Sequence, residues 1–149
     1  MYFGGKFNLA PWIVSHFPEH LKYVEPFGGA ASVLMAKRRT KFEVYNDLHS
    51  DLVNLFTLLR DAGPDCDELI RRLTLTLYSR DEYAIACEPA TETDKVEIAR
   101  RLIVRSALGF GHGAANTAKT FRGTVSPKMF SSPASDWSKY PEAVGALDR

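Results

Sequence analysis

The sequence predicts an α/β fold in which a partial parallel sheet is followed by a mostly helical segment. Three observations predict it. Two short β-rich stretches flank a glycine turn and a helix within about 40 residues, the spacing of a βαβ unit. After Pro64 the periodicity becomes helical as far as Leu108. The 149 residues suffice for a sizeable core, and the 45% hydrophobic and 25% charged content is that of an ordinary globular chain.

The elements follow in order. Leu9, Trp12, Ile13 and His16/Phe17 recur at helical spacing, with Pro11 in the first turn and Pro18 as the stop. Lys22–Pro26 reads as a strand, Phe27–Ala30 as a turn and Ala31–Arg38 as a helix. Lys41–Tyr45 alternates and forms the second strand. Ser50 is expected to cap a helix through Leu59, closed by Gly63-Pro64. Helices are then expected over Asp65–Leu77, Arg80–Cys87 and Asp94–Leu108. Residues 109–135 carry no such signal, and a last helix is expected from Asp136 or Ser138 to Arg149.

Composition excludes several classes. No apolar run reaches the roughly 20 residues needed to span a bilayer, and the start lacks the pattern of a signal peptide. Cys66 and Cys87 have no CxxC partner, and the four histidines share no ligand spacing, so a reduced, cytoplasmic chain without a metal is expected. Trp12 and Trp137 sit in helical settings and read as packing residues. The net charge of +1 hides an asymmetry. Residues 1–94 hold 10 basic and 14 acidic side chains, and residues 95–149 hold 9 and 4. A polyanion would therefore meet the C-terminal half, unless the imbalance is simply uneven surface charge.

Candidate chemistry begins at Val24-Glu-Pro-Phe-Gly-Gly-Ala-Ala-Ser32, where a strand runs through glycines into a helix. Such a turn lets a ligand approach the backbone, although a tight structural turn also explains two glycines. Asp47 lies 19 residues beyond Gly28 at the end of the second strand, the place where nucleoside-binding α/β folds bind ribose hydroxyls. Capping of the next helix is the alternative role. Near the start, Tyr2-Phe-Gly-Gly-Lys6 offers an aromatic ring and a cation around a Gly-Gly.

YFGGK, YVEPFGGAASVLMAK and EVYNDLHSDLVNLF, in this order, resemble the adenine-specific DNA methyltransferases of the Dam-like, D12 class. The resemblance implies a Rossmann-like methyltransferase sheet, S-adenosyl-L-methionine as cofactor and methylation of adenine N6 in double-stranded DNA. By the same resemblance Tyr2, Lys6, Glu25, Phe27, Gly28, Gly29 and Asp47 are the cofactor-binding residues, and Ala31 stands where many members carry a second glycine. The division it implies is a cofactor-binding part over residues 1–63 and a target-recognition, DNA-binding part over 64–149. Arg105, His112, Asn116, Lys119 and Arg122 fall on the stretch resembling the family's DNA contacts. The residues themselves agree, since 109–135 is acid-free and interleaves cations with Phe110, Phe121 and Phe130. A linker with a few cations is the alternative.

The family's catalytic Asp-Pro-Pro-Tyr motif has no counterpart, because no Pro-Pro pair occurs, so no catalytic residue is assigned. The expectation is an N-terminal fragment that is inactive alone, with a C-terminal half or second chain as partner. A truncated DNA-binding remnant of a prophage gene and a small-molecule methyltransferase are the alternatives.

Overall fold

The computed structural model describes residues 5–88, 93–109, 121–123 and 141. The first helix, α1 (Ala10–Ser15), carries Pro11 in its first turn. Next come β1 (Lys22–Glu25), α2 (Ser32–Ala36) and β2 (Phe42–Tyr45). The two strands pair in parallel, Lys22 opposite Phe42 through Glu25 opposite Tyr45, so the expected βαβ unit is present. Among the described residues the sheet has these two strands and no more. The fold is thus mixed helix and strand with a small parallel sheet.

Four further helices build the rest: α3 (Ser50–Asp61), α4 (Pro64–Leu75), α5 (Arg80–Cys87) and α6 (Lys95–Leu108). Several boundaries differ from the sequence expectation, among them the end of α2 at Ala36 rather than Arg38 and of α4 at Leu75 rather than Leu77, and two at α3 have a clear cause. Ser50 is the first residue inside α3 rather than its cap, and the cap position belongs to His49, whose N–H is held by Asp47 Oδ1 at 2.9 Å. Gly63-Pro64 does not close α3. The helix stops at Ala62, which turns left-handed at φ 42°, and Pro64 instead opens α4, where its missing N–H costs nothing. Helix α6 starts as expected, with Asp94 Oδ1 accepting from Val96 and Glu97 N–H groups.

One apolar cluster joins Leu58 and Leu59 of α3 with Leu69, Leu73, Tyr83, Ala86, Val96, Ala99, Ile103, Val104 and Leu108. Each large apolar side chain taken from water contributes roughly 1.5–3 kcal/mol, so this helical body is the principal core. It draws on residues on both sides of position 63. Helix α6 lies centrally, against α3, α4 and α5. Its polar flank is tied by ion pairs: Glu97 with Arg100 and Arg101, Arg100 with Glu82, and Arg72 with Glu68 and Asp94.

Part of the stretch expected to lack structure is ordered by this body. Gly109 and Phe121 form an antiparallel bridge, and Arg122 N–H donates to Leu108 O at 2.7 Å. Tyr78 donates its hydroxyl to Arg122 O, and the Phe121 ring lies 5.4 Å and 6.0 Å from those of Tyr78 and Tyr83. The final helix expected from Asp136 or Ser138 falls outside the described residues except at Pro141.

Candidate functional site

The carboxyl ends of β1 and β2 converge on the glycine turn. Asn46 N–H donates to Glu25 O and Gly28 N–H to Asn46 O, both at 2.9 Å, so the turn continues the pairing of the strands. Asn46 Nδ2 adds a bond to Pro26 O at 3.0 Å. Tyr45 lays its ring against Gly28 and donates its hydroxyl to Gly29 O at 2.7 Å. A Cβ on Gly28 would stand 2.1 Å from Tyr45 Cε2, so only glycine fits there. Gly29 is left-handed at φ 50°.

Two carboxylates fix the turn from its two sides. Asp47 Oδ2 accepts the Gly29 N–H at 2.8 Å while Oδ1 accepts from His49. Each oxygen keeps a further lone pair for a ligand hydroxyl. Glu25 Oε2 accepts the Leu34 N–H at 3.2 Å, satisfying the third residue of α2. Burial pushes the Glu25 carboxyl above its ordinary value, against the opposing effect of the Leu34 N–H, the Tyr23 hydroxyl, Lys6 and Lys37. Tyr23 is pushed up to about 12, first by burial and then by the Glu25 charge.

The structure therefore brings Lys6, Glu25, Gly28, Gly29 and Asp47 to one end of the sheet. Lys6 is exposed just before α1, its carbonyl accepting from Leu9 and Ala10, and its charge acts on Glu25. Phe27 projects from the turn at 82% exposure. Tyr2 lies outside the described residues, as do His112, Asn116 and Lys119. Arg105 points inward, holding Ala86 O at 2.8 Å and Asp51 at 2.9 Å. Arg122 is half-buried, its backbone tied to Leu108 and Tyr78.

Sequence reasoning missed Tyr45 and Asn46 as builders of the turn. Their signal is position: they are the last strand residue and its successor, and so face the companion turn in any parallel pair. Among the described residues, no group of three His, Cys, Asp or Glu side chains could hold a metal ion. Nor is any described helix long and apolar enough to cross a membrane.

The fold and site together define a mixed α/β protein whose small parallel pair carries a glycine turn and an acidic residue at its carboxyl end. The family is more specific. Residues 2–120 match the model of the D12 class N6 adenine-specific DNA methyltransferases, and the chain belongs to that family. It is similar to the DNA adenine methylases of two strains of Vibrio cholerae serotype O1, each 44% identical over 59 residues. That match covers 38% of this chain and 20% of each relative, so the chain spans about a fifth of the length of the curated relatives it matches.

Proposed function

We propose that the chain is the S-adenosyl-L-methionine-binding and DNA-binding portion of an adenine-N6 DNA methyltransferase, built on a partial Rossmann-like sheet. The observation that carries this reading is the Asp47 carboxylate bonded to Gly29 N–H at the carboxyl end of the parallel pair. It unites the two features that the sequence could only place 18 residues apart.

The residues present suit the cofactor by their chemistry. Asp47 retains acceptor positions for ribose hydroxyls, exposed Lys6 offers a cation to a carboxylate, and Gly28 gives room to the Tyr45 ring that holds the turn. Phe27 supplies an exposed apolar ring beside them. Glu25 works at one remove, capping α2 and so holding the turn. When bound, the cofactor supplies an electrophilic methyl group for the amine of a flipped adenine.

Residues 1–63 form the cofactor part in this reading and residues 64–149 the DNA part. Arg122, with His112, Asn116 and Lys119, would meet the duplex. Arg105 would act by bracing α6 against α3, since its guanidinium is engaged by Asp51. A second chain or a C-terminal half would complete the enzyme, because the sequence holds no Pro-Pro pair and hence no Asp-Pro-Pro-Tyr motif. The apolar side chains Val24 and Val44, each more than half exposed on the sheet, suit such an addition.

Equilibrium dialysis with labelled S-adenosyl-L-methionine, followed by recovery of added duplex DNA, tests the proposal. Cofactor should be retained with no label in adenine. Absence of retention, or label in adenine from this chain alone, overturns it.

A further inference from the structure

The end of the sheet opposite the glycine turn carries a charge pattern that the proposed function leaves unused. Lys37-Arg38-Arg39-Thr40-Lys41 places four cations in five residues without an acid. The loop is held from within. Lys37 is 3% exposed, donates to Arg38 O at 2.8 Å and pairs with Glu43, and its ammonium stands 4.7 Å from the centre of the Tyr23 ring. With Lys37 buried in this way, Arg38, Arg39 and Lys41 are left on the surface.

Lys22 extends the cationic surface across the strands, because it is the register partner of Phe42. The ammonium groups of Lys22 and Lys41 lie 5.8 Å and 5.6 Å from the Phe42 ring. On the other side the loop forms one wall of a cleft of about 760 Å³, also lined by Phe17, Leu21 and His20. The Nε2 of His20 is buried without a hydrogen-bond partner. Glu19 is the one acid among the described residues lining this cleft. Strands of four residues rise roughly 13 Å, so this surface is distinct from the turn at the other end.

We infer that this basic end of the sheet is a second nucleic-acid contact, which binds backbone phosphates of a DNA segment other than the one presented to the glycine turn. A row of exposed cations on a loop fixed by an internal ion pair is suited to phosphates. It carries no sequence information, so it contributes affinity and salt dependence rather than specificity. A protein of a DNA-methylating family meets DNA as its polyanion. The inference rests on that reading of the chain as a DNA-acting portion.

The test is fluorescence anisotropy of a labelled duplex against the full chain over a salt series. Variants are R38E with R39E, a charge-matched control R60E with R71E on the exposed flanks of α3 and α4, and K119E with R122E. The first pair should lose about tenfold in affinity at moderate salt and about 2 in salt slope, while the control changes little. Equal losses in the first pair and the control, no loss in the first pair, or full competition by polyglutamate overturns the inference. Effects of the first pair that persist in the K119E, R122E background, or in a chain that fails to bind cofactor, keep this contact and set it apart from the proposed function.

Discussion

Asp47 Oδ2 accepts the backbone N–H of Gly29 at 2.8 Å, across 18 residues of sequence, while its other oxygen holds the His49 N–H that leads into α3. One side chain thus joins the glycine turn after β1 to the helix after β2. Removing it leaves two part-buried N–H groups without their acceptor. Asp47→Ala should therefore cost about 2 kcal/mol and lower the thermal midpoint by about 6 °C. An unchanged midpoint by circular dichroism would show that the turn holds without it.

The close approach of Tyr45 to Gly28 leads to a second expectation. A methyl group at 28 would overlap the ring, and Tyr45 would have to leave both Gly29 O and its neighbour Phe56, 4.8 Å away between ring centres. Gly28→Ala should destabilise by about 2 kcal/mol. Denaturant unfolding monitored by tyrosine fluorescence reads this directly, and a loss below the error of the fit would contradict the packing.

Ala62 should behave in the opposite sense. It is exposed and left-handed at φ 42° where α3 ends, a position that glycine occupies without strain. Ala62→Gly should raise stability by about 1 kcal/mol. Ala31 is also left-handed, at φ 52°, but it is fully buried, so glycine there would remove packing along with strain. Thermal melts of the two variants should separate, with the gain confined to position 62.

Acid and base act on different parts of the chain. The Arg100 bonds, followed by those of Arg101, hold the Glu97 carboxyl below its ordinary 4.5 despite burial. Its stabilisation is present above pH 4.5 and is lost as pH falls through the lowered value. Glu25 has the reverse sign: its carboxyl is raised, so its contribution is present below 4.5 and is lost as pH rises through the raised value. Glu97→Gln should therefore flatten the loss of melting midpoint on acidification below about pH 4.5. Glu25→Gln should raise the midpoint at neutral pH. Identical pH profiles for wild type and both variants would sink this assignment.

Much of this fold was legible locally. Alternation at Lys41–Tyr45, glycines after a strand and Asp94 before an apolar period are short-range signals, and β2, the turn and the start of α6 follow them. What was hidden depends on partners far along the chain. Arg105 reads as a surface cation until Asp51, 54 residues away, is placed beside it. The bond from Leu34 N–H to Glu25 is likewise hidden until α2 folds back over the end of β1. The cap of α3 lies at His49 rather than at the expected Ser50, with Asp47 holding the His49 N–H. The cations at 37–41 were masked by averaging over a half of the chain that is acidic as a whole.

In the proposed function Asp47 and the glycine turn together form the cofactor site. Isothermal titration of the full chain with S-adenosyl-L-methionine, for wild type and Asp47→Asn, tests it most directly. The amide keeps the shape of the side chain and one acceptor oxygen, so one of the Gly29 and His49 N–H bonds is retained and the other lost, while a ribose diol loses its charged acceptor; a circular-dichroism melt confirms that the titrated variant is folded. Wild type should bind, and the variant should bind at least about tenfold more weakly. Equal affinities, or no heat of binding from a folded wild-type chain, would contradict it.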